Sequence, residues 1–271
     1  SEIFNKKFLN IRIKMSLDSY GVVHQNKIKS ENDLFHEIFQ RKGFVIFPSE
    51  IKNEEMKIIA DNFEEVKNDY SSKYFENKKN DFSIRGLFSF NRCFLNLARN
   101  KKLNQFLKLL FDGVFILNQQ NGLINSPTSK YSQAKWHRDL PYQHFVSSKN
   151  IAINVIYCID KFIINNGSTL VLPYSHLFEN FPSDKFVIDN ELPIIAKPGD
   201  FIVVNAMTFH KGGINKSSRD RRGINSLYSI PYIRHQIDLA SLKYKYKLSK
   251  GDKDFLGFQY SSIKSIENIL E

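Results

Sequence analysis

The chain of 271 residues contains little cysteine and no long apolar run. Its two cysteines, Cys93 and Cys158, lie far apart, and no CxxC pair occurs. We therefore expect neither a disulfide scaffold nor a structural zinc site, and we interpret both thiols as reduced and buried. No segment approaches the roughly 18 consecutive apolar residues that a membrane-spanning helix requires. The N-terminal segment also lacks the apolar core of a secretory signal, which predicts a soluble, cytoplasmic protein.

Acidic residues are outnumbered by basic ones, and the formal net charge is +11. Such an excess can indicate nucleic-acid binding. The basic residues are scattered, however, with only modest clusters at KYKYKLSK and SSRDRRG. We interpret the charge first as a solvated surface and next as an electrostatic preference for an anionic small-molecule substrate, and nucleic acid is the less favoured partner.

The order of the sequence patterns indicates an α+β protein. SENDLFHEIFQRKG predicts a helix with Ser30 as its N-cap and Gly43 as its end, followed by the short strand FVIF and a second helix in PSEIKNEEMKIIADNFEEVKNDY. From about residue 113, short β-branched and aromatic runs alternate with turn signals such as NNGS, KPGD and KGG. This pattern predicts an antiparallel β-barrel or β-sandwich with helices packed on one side.

We expect a single domain, because 271 residues suit one sizeable core and no linker or repeat stands out. Residues 1–42 would form an N-terminal helical extension, and residues 43–112 would supply helices and an edge strand that support the core. Residues 113–235 would form the β core, which carries the candidate metal site. Residues 236–271 would form a C-terminal extension.

The stretch KWHRDLPYQHF contains a candidate pair of metal ligands. In an extended segment, residues i and i+2 project to the same side, so His137 and Asp139 would point together and Arg138 away from them. A third ligand is available in FIVVNAMTFHKGG, where strand alternation would continue one face from Ile202 to His210. Two histidines and one carboxylate form the facial triad of non-haem iron(II) oxygenases, which leaves metal positions open for reactants.

The HRD triplet alone is weak support for a metal site. The chain has seven histidines, so one HxD triplet can arise by chance. The catalytic loop of protein kinases also contains HRD, but this sequence lacks a glycine-rich nucleotide loop, a VAIK motif and a DFG motif.

The arginines that follow His210 strengthen the metal-site hypothesis. The planar fork of an arginine pairs with a carboxylate through two hydrogen bonds, so an arginine is the expected anchor for a dicarboxylate. Arg221 would lie on the same strand face as Gly223 and Asn225. This face is small and polar, which suits a pocket. Arg222 on the opposite face is the alternative.

As a set, these motifs resemble the phytanoyl-CoA dioxygenase family. GFVIFPSEIKNEEM, KWHRDLPY, NNGSTLVLPYSH and KPGDFIVVNAMTFHKGGINKSSRDRRGINSLYS occur in the order typical of that family, between about residues 40 and 235. The resemblance implies a dioxygenase that depends on Fe(II) and 2-oxoglutarate, with O2 as cosubstrate. It also implies a double-stranded β-helix core, or jelly roll, with N-terminal and flanking helices.

The resemblance further implies roles for individual residues. His137, Asp139 and His210 match the family's iron ligands and would form the catalytic centre, and Arg221 matches the arginine that binds the distal carboxylate of 2-oxoglutarate. Gln120 is similar to a polar residue that lies near 2-oxoglutarate in many members of the family. The implied reaction is hydroxylation of an unactivated C–H bond, with decarboxylation of 2-oxoglutarate to succinate. The presence of Asp139 favours hydroxylation over halogenation, whereas desaturation and ring closure remain open.

Candidate substrate contacts lie in two further segments. Arg85 in SIRGLFSF and Arg92 in FNRCF have an aromatic setting and would suit an anionic substrate, although ordinary surface or salt-bridged arginines are the alternative. Tyr142, Gln143 and His144 follow the HRD segment and are candidates for lining the pocket.

Two other classes of function remain open at this point. One is a jelly-roll protein that binds a metal or ligand without turnover, although a complete ligand set with an arginine argues against it. The other is an oxygenase that acts on a macromolecule, for which salt-sensitive binding to polynucleotide would be a sign. The flanking segments match nothing specific, so an acyl-CoA substrate does not follow from the family name.

Overall fold

The computed structural model describes residues 20–22, 24–74, 83–127, 132–140 and 145–260. The helices in these ranges are α1 (Glu31–Lys42), α2 (Asn53–Tyr74), α3 (Arg92–Ala98), α4 (Lys101–Phe111), α5 (Asp184–Asn190) and α6 (Lys250–Phe255). The strands are β1 (Phe44–Pro48), β2 (Ser83–Arg85), β3 (Ile116–Asn125), β4 (Ala152–Cys158), β5 (Thr169–Val171), β6 (Leu192–Pro193), β7 (Asp200–Asn205), β8 (His210–Gly212) and β9 (Arg221–Ser229). Within the described ranges, no helix combines the length and the apolar character that crossing a bilayer requires.

Two antiparallel sheets face each other. The major sheet has the strand order β1-β7-β4-β9-β3-β2, and the minor sheet has the order β6-β5-β8. Their inner faces share an apolar cluster in which Leu123, Ile156 and Val204 of the major sheet meet Val171 of the minor sheet. This arrangement confirms the predicted jelly-roll core, because each strand buries every second side chain between the two sheets.

Helices α1 to α4 and α6 cover the outer face of the major sheet. Ile84, Ile224 and Tyr228 point outward from their strands and pack in one buried cluster with Phe63 of α2. The Tyr228 hydroxyl donates a hydrogen bond to the backbone oxygen of Ala98 at 2.8 Å, which joins β9 to the end of α3. The predicted α+β class with helices on one side of the sheet is therefore confirmed.

Helix α1 begins and ends where its local signals predict. The Ser30 side chain accepts a hydrogen bond from the Asp33 backbone, and the Asp33 side chain accepts from the Ser30 backbone, which forms a capping box. Gly43 ends the helix with a left-handed φ of 81°. A Cβ atom at Gly43 would lie 2.3 Å from the Thr208 hydroxyl and 2.5 Å from His176 Nδ1, so this close approach requires glycine.

The segment FIVVNAMTFH differs from its prediction as one strand. Strand β7 ends at Asn205, and the chain turns before β8 begins at His210 in the other sheet. The Asn205 side chain accepts a hydrogen bond from Met207 N at 2.9 Å, and its backbone oxygen accepts from Thr208 N at 2.8 Å. Asparagine stabilises such turns by bonding to nearby backbone, so the predicted single face from Ile202 to His210 is wrong.

Both cysteines are free thiols. Cys158 is buried, as expected, whereas Cys93 is only partly buried. Burial raises the pKa of the Cys93 thiol to about 12, so it is protonated and unreactive near neutral pH.

An ion-pair cluster holds the C-terminal helix against α3. Asp252 in α6 is fully buried, and its carboxylate accepts hydrogen bonds from Arg92 at 2.6 and 3.1 Å and from Arg99 at 2.5 Å. It also caps its own helix through Ser249. The hypothesis that Arg92 contacts substrate is therefore wrong, because its guanidinium binds Asp252.

We expect Asp252→Asn to lower the free energy of unfolding by about 1–3 kcal/mol at pH 7, since two arginines lose a charged acceptor. Burial alone would raise the pKa of Asp252, but hydrogen bonds from Arg92 and Ser249 lower it to about 2. A carboxyl group with a lowered pKa stabilises the fold above its unfolded pKa of roughly 4 and loses this effect as the pH falls toward the folded value. Urea denaturation at pH 7 and pH 3 should thus show a smaller difference between variant and wild type at pH 3.

The exposed Asp254 in the same helix provides a matched control. Asp254→Asn removes the same charge at a residue that forms no ion pair within the described ranges, so its unfolding midpoint should stay close to that of the wild type at both pH values. An equal loss in the two variants would contradict a stabilising role for the Asp252 cluster.

Candidate metal centre

Backbone hydrogen bonds bring the three candidate ligands together from two distant segments. His137 N donates to His210 O, and His210 N donates to His137 O, each at 3.0 Å. Asp139 N donates to Ala206 O at 3.1 Å. As a result, one donor atom each from His137, Asp139 and His210 lies within 4.8 Å of the other two.

Both imidazoles are oriented by backbone carbonyl groups. His137 Nδ1 lies 2.7 Å from Lys135 O, and His210 Nδ1 lies 2.9 Å from Thr208 O. A carbonyl oxygen only accepts, so each Nδ1 carries the proton and each Nε2 keeps a lone pair. Burial and the neighbouring His210 lower the pKa of His137, which favours the neutral imidazole that a metal ion binds.

The Asp139 carboxylate lies between the two Nε2 atoms. Its Oδ1 is 4.0 Å from His137 Nε2, and its Oδ2 is 3.3 Å from His210 Nε2. The side chain of Asn154, which points inward from β4, donates a hydrogen bond to Oδ2. Two imidazole nitrogens and one carboxylate thus form a close group, the donor set of a facial triad.

Arg138 connects the segment of His137 and Asp139 to neighbouring loops on the side of the minor sheet. Its side chain points away from the ligands, as predicted, and only 2% of the residue is exposed. Its guanidinium donates to the backbone oxygens of Met207, Ser175, Phe178 and Glu179. The guanidinium carbon also lies 3.9 Å from the centre of the Phe209 ring. These contacts join the HRD segment to the turn before β8 and to the segment after β5.

A pocket beside the three ligands extends between the sheets. Leu123, Ile156 and Asn225 of the major sheet line it, together with Arg221. Arg221 is 1% exposed, and its guanidinium lies 4.2 Å from the centre of the Phe162 ring. Its Nε and Nη1 atoms have no hydrogen-bond partner among the described residues, nor does Asn225 Oδ1. A buried cation with unpartnered donors is costly, so this geometry favours a bound anion.

The structure distinguishes Arg221 from its neighbour. Arg222 points to the outer face, where it pairs with Asp160 at 2.8 Å and with Glu64 at 2.9 Å. Its donors are therefore engaged, and the ion pairs raise its pKa further. Of the two candidates, Arg221 is the one that faces the pocket.

The expectation that Gln120 lies near 2-oxoglutarate is wrong. Its side chain points to the outer face of the major sheet, where Nε2 donates to Phe94 O at 2.9 Å and to Ser226 Oγ at 3.2 Å. The next residue, Asn121, points to the inner face instead, because successive side chains alternate along a strand.

Of the remaining predicted site residues, only Arg85 lies within the described ranges. Arg85 lies at the end of β2, on the inner face of the major sheet, and its side chain is exposed. Tyr142, Gln143 and His144 lie outside the described residues.

Asn154 is a site residue that the sequence interpretation missed. It is the one amide side chain in the apolar run AINVIYCI and is 2% exposed. A polar side chain in a fully buried strand requires a partner, which is the signal that would have indicated a role for it.

Comparisons with known proteins agree with this geometry. The family model of phytanoyl-CoA dioxygenase (PhyH) matches residues 39–223. An uncharacterized protein of Mycobacterium tuberculosis is 30% identical over 128 residues, which are 45% of this chain and 46% of that protein. Dioxygenase andF of Emericella variicolor is 30% identical over 117 residues, which are 42% of this chain and 38% of that protein. The chain thus covers less than half the length of these curated relatives.

Solved structures with the same fold include several enzymes. EctD from S. alaskensis with bound Fe is 16% identical, with a TM-score of 0.63 over 79% of this chain and 83% of that one. The α-ketoglutarate-dependent epimerase SnoN is 15% identical, with a TM-score of 0.60 over 76% of this chain and 87% of that one. The α-ketoglutarate-dependent carbocyclase SnoK is 14% identical, with a TM-score of 0.61 over 80% and 93%. At such identities the similarity shows a shared fold.

We expect Asn154→Ala to weaken metal binding about 10- to 100-fold, since groups that orient a ligand typically contribute that much to affinity. The reason is that the Asp139 carboxylate loses the hydrogen bond that orients it. Titration of the protein with Mn(II) or Co(II) would measure the change.

Asn150→Ala is the matched control for this titration. Asn150 is also buried and donates to Leu110 O at 2.7 Å, but it contacts none of the three ligands. This variant should lose stability and keep its metal affinity. If both variants lose metal affinity equally, the effect of Asn154 is a general loss of packing.

Proposed function

Because the chain belongs to the phytanoyl-CoA dioxygenase family, we propose that it hydroxylates an unactivated C–H bond of a small molecule. Its cofactors are Fe(II) and 2-oxoglutarate, its cosubstrate is O2, and 2-oxoglutarate leaves as succinate and CO2. The observation that supports this most directly is the buried Arg221, whose Nε and Nη1 have no partner among the described residues, in the pocket that contains a His-Asp-His cluster.

The donor set fits iron(II). His137 and His210 would each bind the metal through Nε2, and Asp139 would bind it through one carboxylate oxygen. Two neutral ligands and one carboxylate leave a positive charge on the ion and three open positions, which suit a chelating anion and O2. When bound, iron and 2-oxoglutarate together activate O2 for oxidation of a substrate C–H bond.

The pocket also fits 2-oxoglutarate. Arg221 would hold the distal carboxylate, because charge-assisted hydrogen bonds would satisfy its unpartnered donors. Phe162 covers the face of the guanidinium, which limits access of water to it. Asn225 lines the same pocket and offers a further polar contact.

The protein's own residues would control the outcome at the metal. Asn154 orients the Asp139 carboxylate. The presence of that carboxylate favours hydroxylation over halogenation, because a halogenase binds a halide at the metal position that the carboxylate occupies. Leu123 and Ile156 provide an apolar wall that excludes water from the reacting atoms. Epimerase and carbocyclase neighbours share the fold, so analysis of the product is the test that separates hydroxylation from ring closure or epimerisation.

We expect anaerobic addition of Fe(II) and 2-oxoglutarate to the apo-protein to produce the weak visible charge-transfer band of their chelate. Arg221→Ala should raise the Kd for 2-oxoglutarate by roughly 10- to 150-fold, the equivalent of one charged hydrogen-bond contact. Its affinity for the metal alone should change little, because Arg221 does not contact the metal ligands.

Arg222→Ala is the control, because it removes the same charge from the adjacent residue. Arg222 pairs with Asp160 and Glu64 on the outer face, so this variant should lose stability and keep its affinity for 2-oxoglutarate. A larger loss of affinity in Arg222→Ala than in Arg221→Ala would overturn the assignment.

Turnover provides a separate prediction. The wild type should convert 2-oxoglutarate to succinate slowly without substrate, and His210→Ala and Asp139→Ala should reduce succinate formation to background because the metal is lost. Succinate is measured by mass spectrometry, and circular dichroism checks that the variants are folded. A wild type that binds Fe(II) and 2-oxoglutarate but forms no succinate with or without candidate substrates would instead support a non-catalytic binding protein.

A further inference from the structure

We propose that Arg85 is the anion-binding residue of the substrate site, so that the substrate is a small molecule with a carboxylate, phosphate or sulfate group. The inference rests on the proposed function, because it takes the pocket beside His137, Asp139 and His210 as the reaction centre. It goes further in naming the chemical class of the substrate and the residue that selects it.

The register of the major sheet directs Arg85 toward the pocket. Arg85 lies opposite Asn121 in the β2–β3 pair, and Asn121 lies opposite Asn225 in the β3–β9 pair. Directly opposite residues project from the same face of a sheet, so the three side chains form one row on the inner face. Asn225 at the end of this row lines the metal pocket.

The neighbours of Arg85 support this orientation. Ile84, the preceding residue, is fully buried in the cluster on the outer face. A Cβ atom added to Gly122, the partner of Ile84, would lie 3.1 Å from Ile84 and 2.8 Å from Phe63 of α2. Because Ile84 points to the helices, the alternation of the strand turns Arg85 to the opposite side.

The guanidinium of Arg85 keeps most of its donors available. With the Asn121 amide oriented to donate to the backbone oxygen of Gln120, its side-chain oxygen accepts from Arg85 Nη1 at 3.1 Å. No carboxylate lies within ion-pair distance of Arg85 in the described part of the chain. By contrast, Arg92, Arg99 and Arg222 are each paired with buried or half-buried carboxylates. Arg85 is thus a positioned cation whose charge is not compensated.

The spacing of the strands sets the size of the molecule that fits. Adjacent strands lie about 4.8 Å apart, so the backbone of Arg85 is on the order of 10 Å from that of Asn225. In a substrate whose anionic group binds Arg85, a C–H bond roughly 10 Å from that group would lie near the metal pocket. The planar guanidinium prefers carboxylate, phosphate or sulfate oxygens, and the overall charge of +11 would attract such a molecule.

The test uses eight-carbon probes that differ in their head group. Protein loaded with Mn(II) and saturating 2-oxoglutarate is titrated with octanoate, octyl phosphate, octyl sulfate and neutral octanol. The Kd and the paramagnetic broadening of the probe protons are measured by NMR. At least one anionic probe should bind about tenfold more tightly than octanol, and Arg85→Gln should remove that difference while leaving octanol binding unchanged.

Arg41→Gln is the matched control for charge, because Arg41 is exposed on α1 and pairs with Glu37 of the same helix. This variant should retain the preference for anionic probes. The proposal is overturned if no anionic probe binds better than octanol, or if Arg41→Gln and Arg85→Gln reduce binding equally.

A second readout separates this proposal from the proposed function. The affinity of Arg85→Gln for 2-oxoglutarate is measured by calorimetry in the presence of Mn(II), and it should match that of the wild type. If Arg85→Gln loses 2-oxoglutarate as Arg221→Ala does, Arg85 belongs to the cosubstrate site and the anionic-substrate inference fails, while the proposed function stands. If the wild type itself binds no 2-oxoglutarate, the proposed function fails first.

Discussion

Two backbone hydrogen bonds between His137 and His210 hold together segments that are far apart in the chain. They set the distance between the two imidazoles, and the bond from Asp139 N to Ala206 O adds the carboxylate to the same point. The buried Arg138, which lies between the two ligands in the sequence, donates to backbone oxygens of Met207 and Ser175 on the side away from the ligands. Because each imidazole is also held through Nδ1, the ligands have little freedom to move apart before a metal ion binds.

The two faces of the major sheet differ in how their polar side chains are bonded. The outer face packs on helices, and there Arg222 pairs with Asp160 and Glu64. On the inner face, Nε and Nη1 of Arg221 and Oδ1 of Asn225 have no hydrogen-bond partner in the described part of the chain. Buried polar groups are usually hydrogen-bonded, so their concentration on one face marks the place where the fold accepts a cost for function.

The comparison of sequence and structure shows which signals are reliable. Motif spacing identified His137, Asp139, His210 and Arg221, and the structure brings all four to one pocket. The family resemblance alone suggested that Gln120 lies near 2-oxoglutarate, but the side chain points to the outer face and contacts Phe94 and Ser226.

Local physical chemistry determined the ends of α1 and the presence of the strands, since caps, turns and alternation act within a few residues. The sequence by itself also determined the donor types, because the ligands are the side chains themselves. Only the tertiary structure decided that the chain changes sheets between Asn205 and His210, that Arg92 pairs with Asp252, and that Arg85 lies on the inner face of the major sheet. These outcomes depend on which segment packs against which, and such long-range partners are not encoded in any one stretch of the chain.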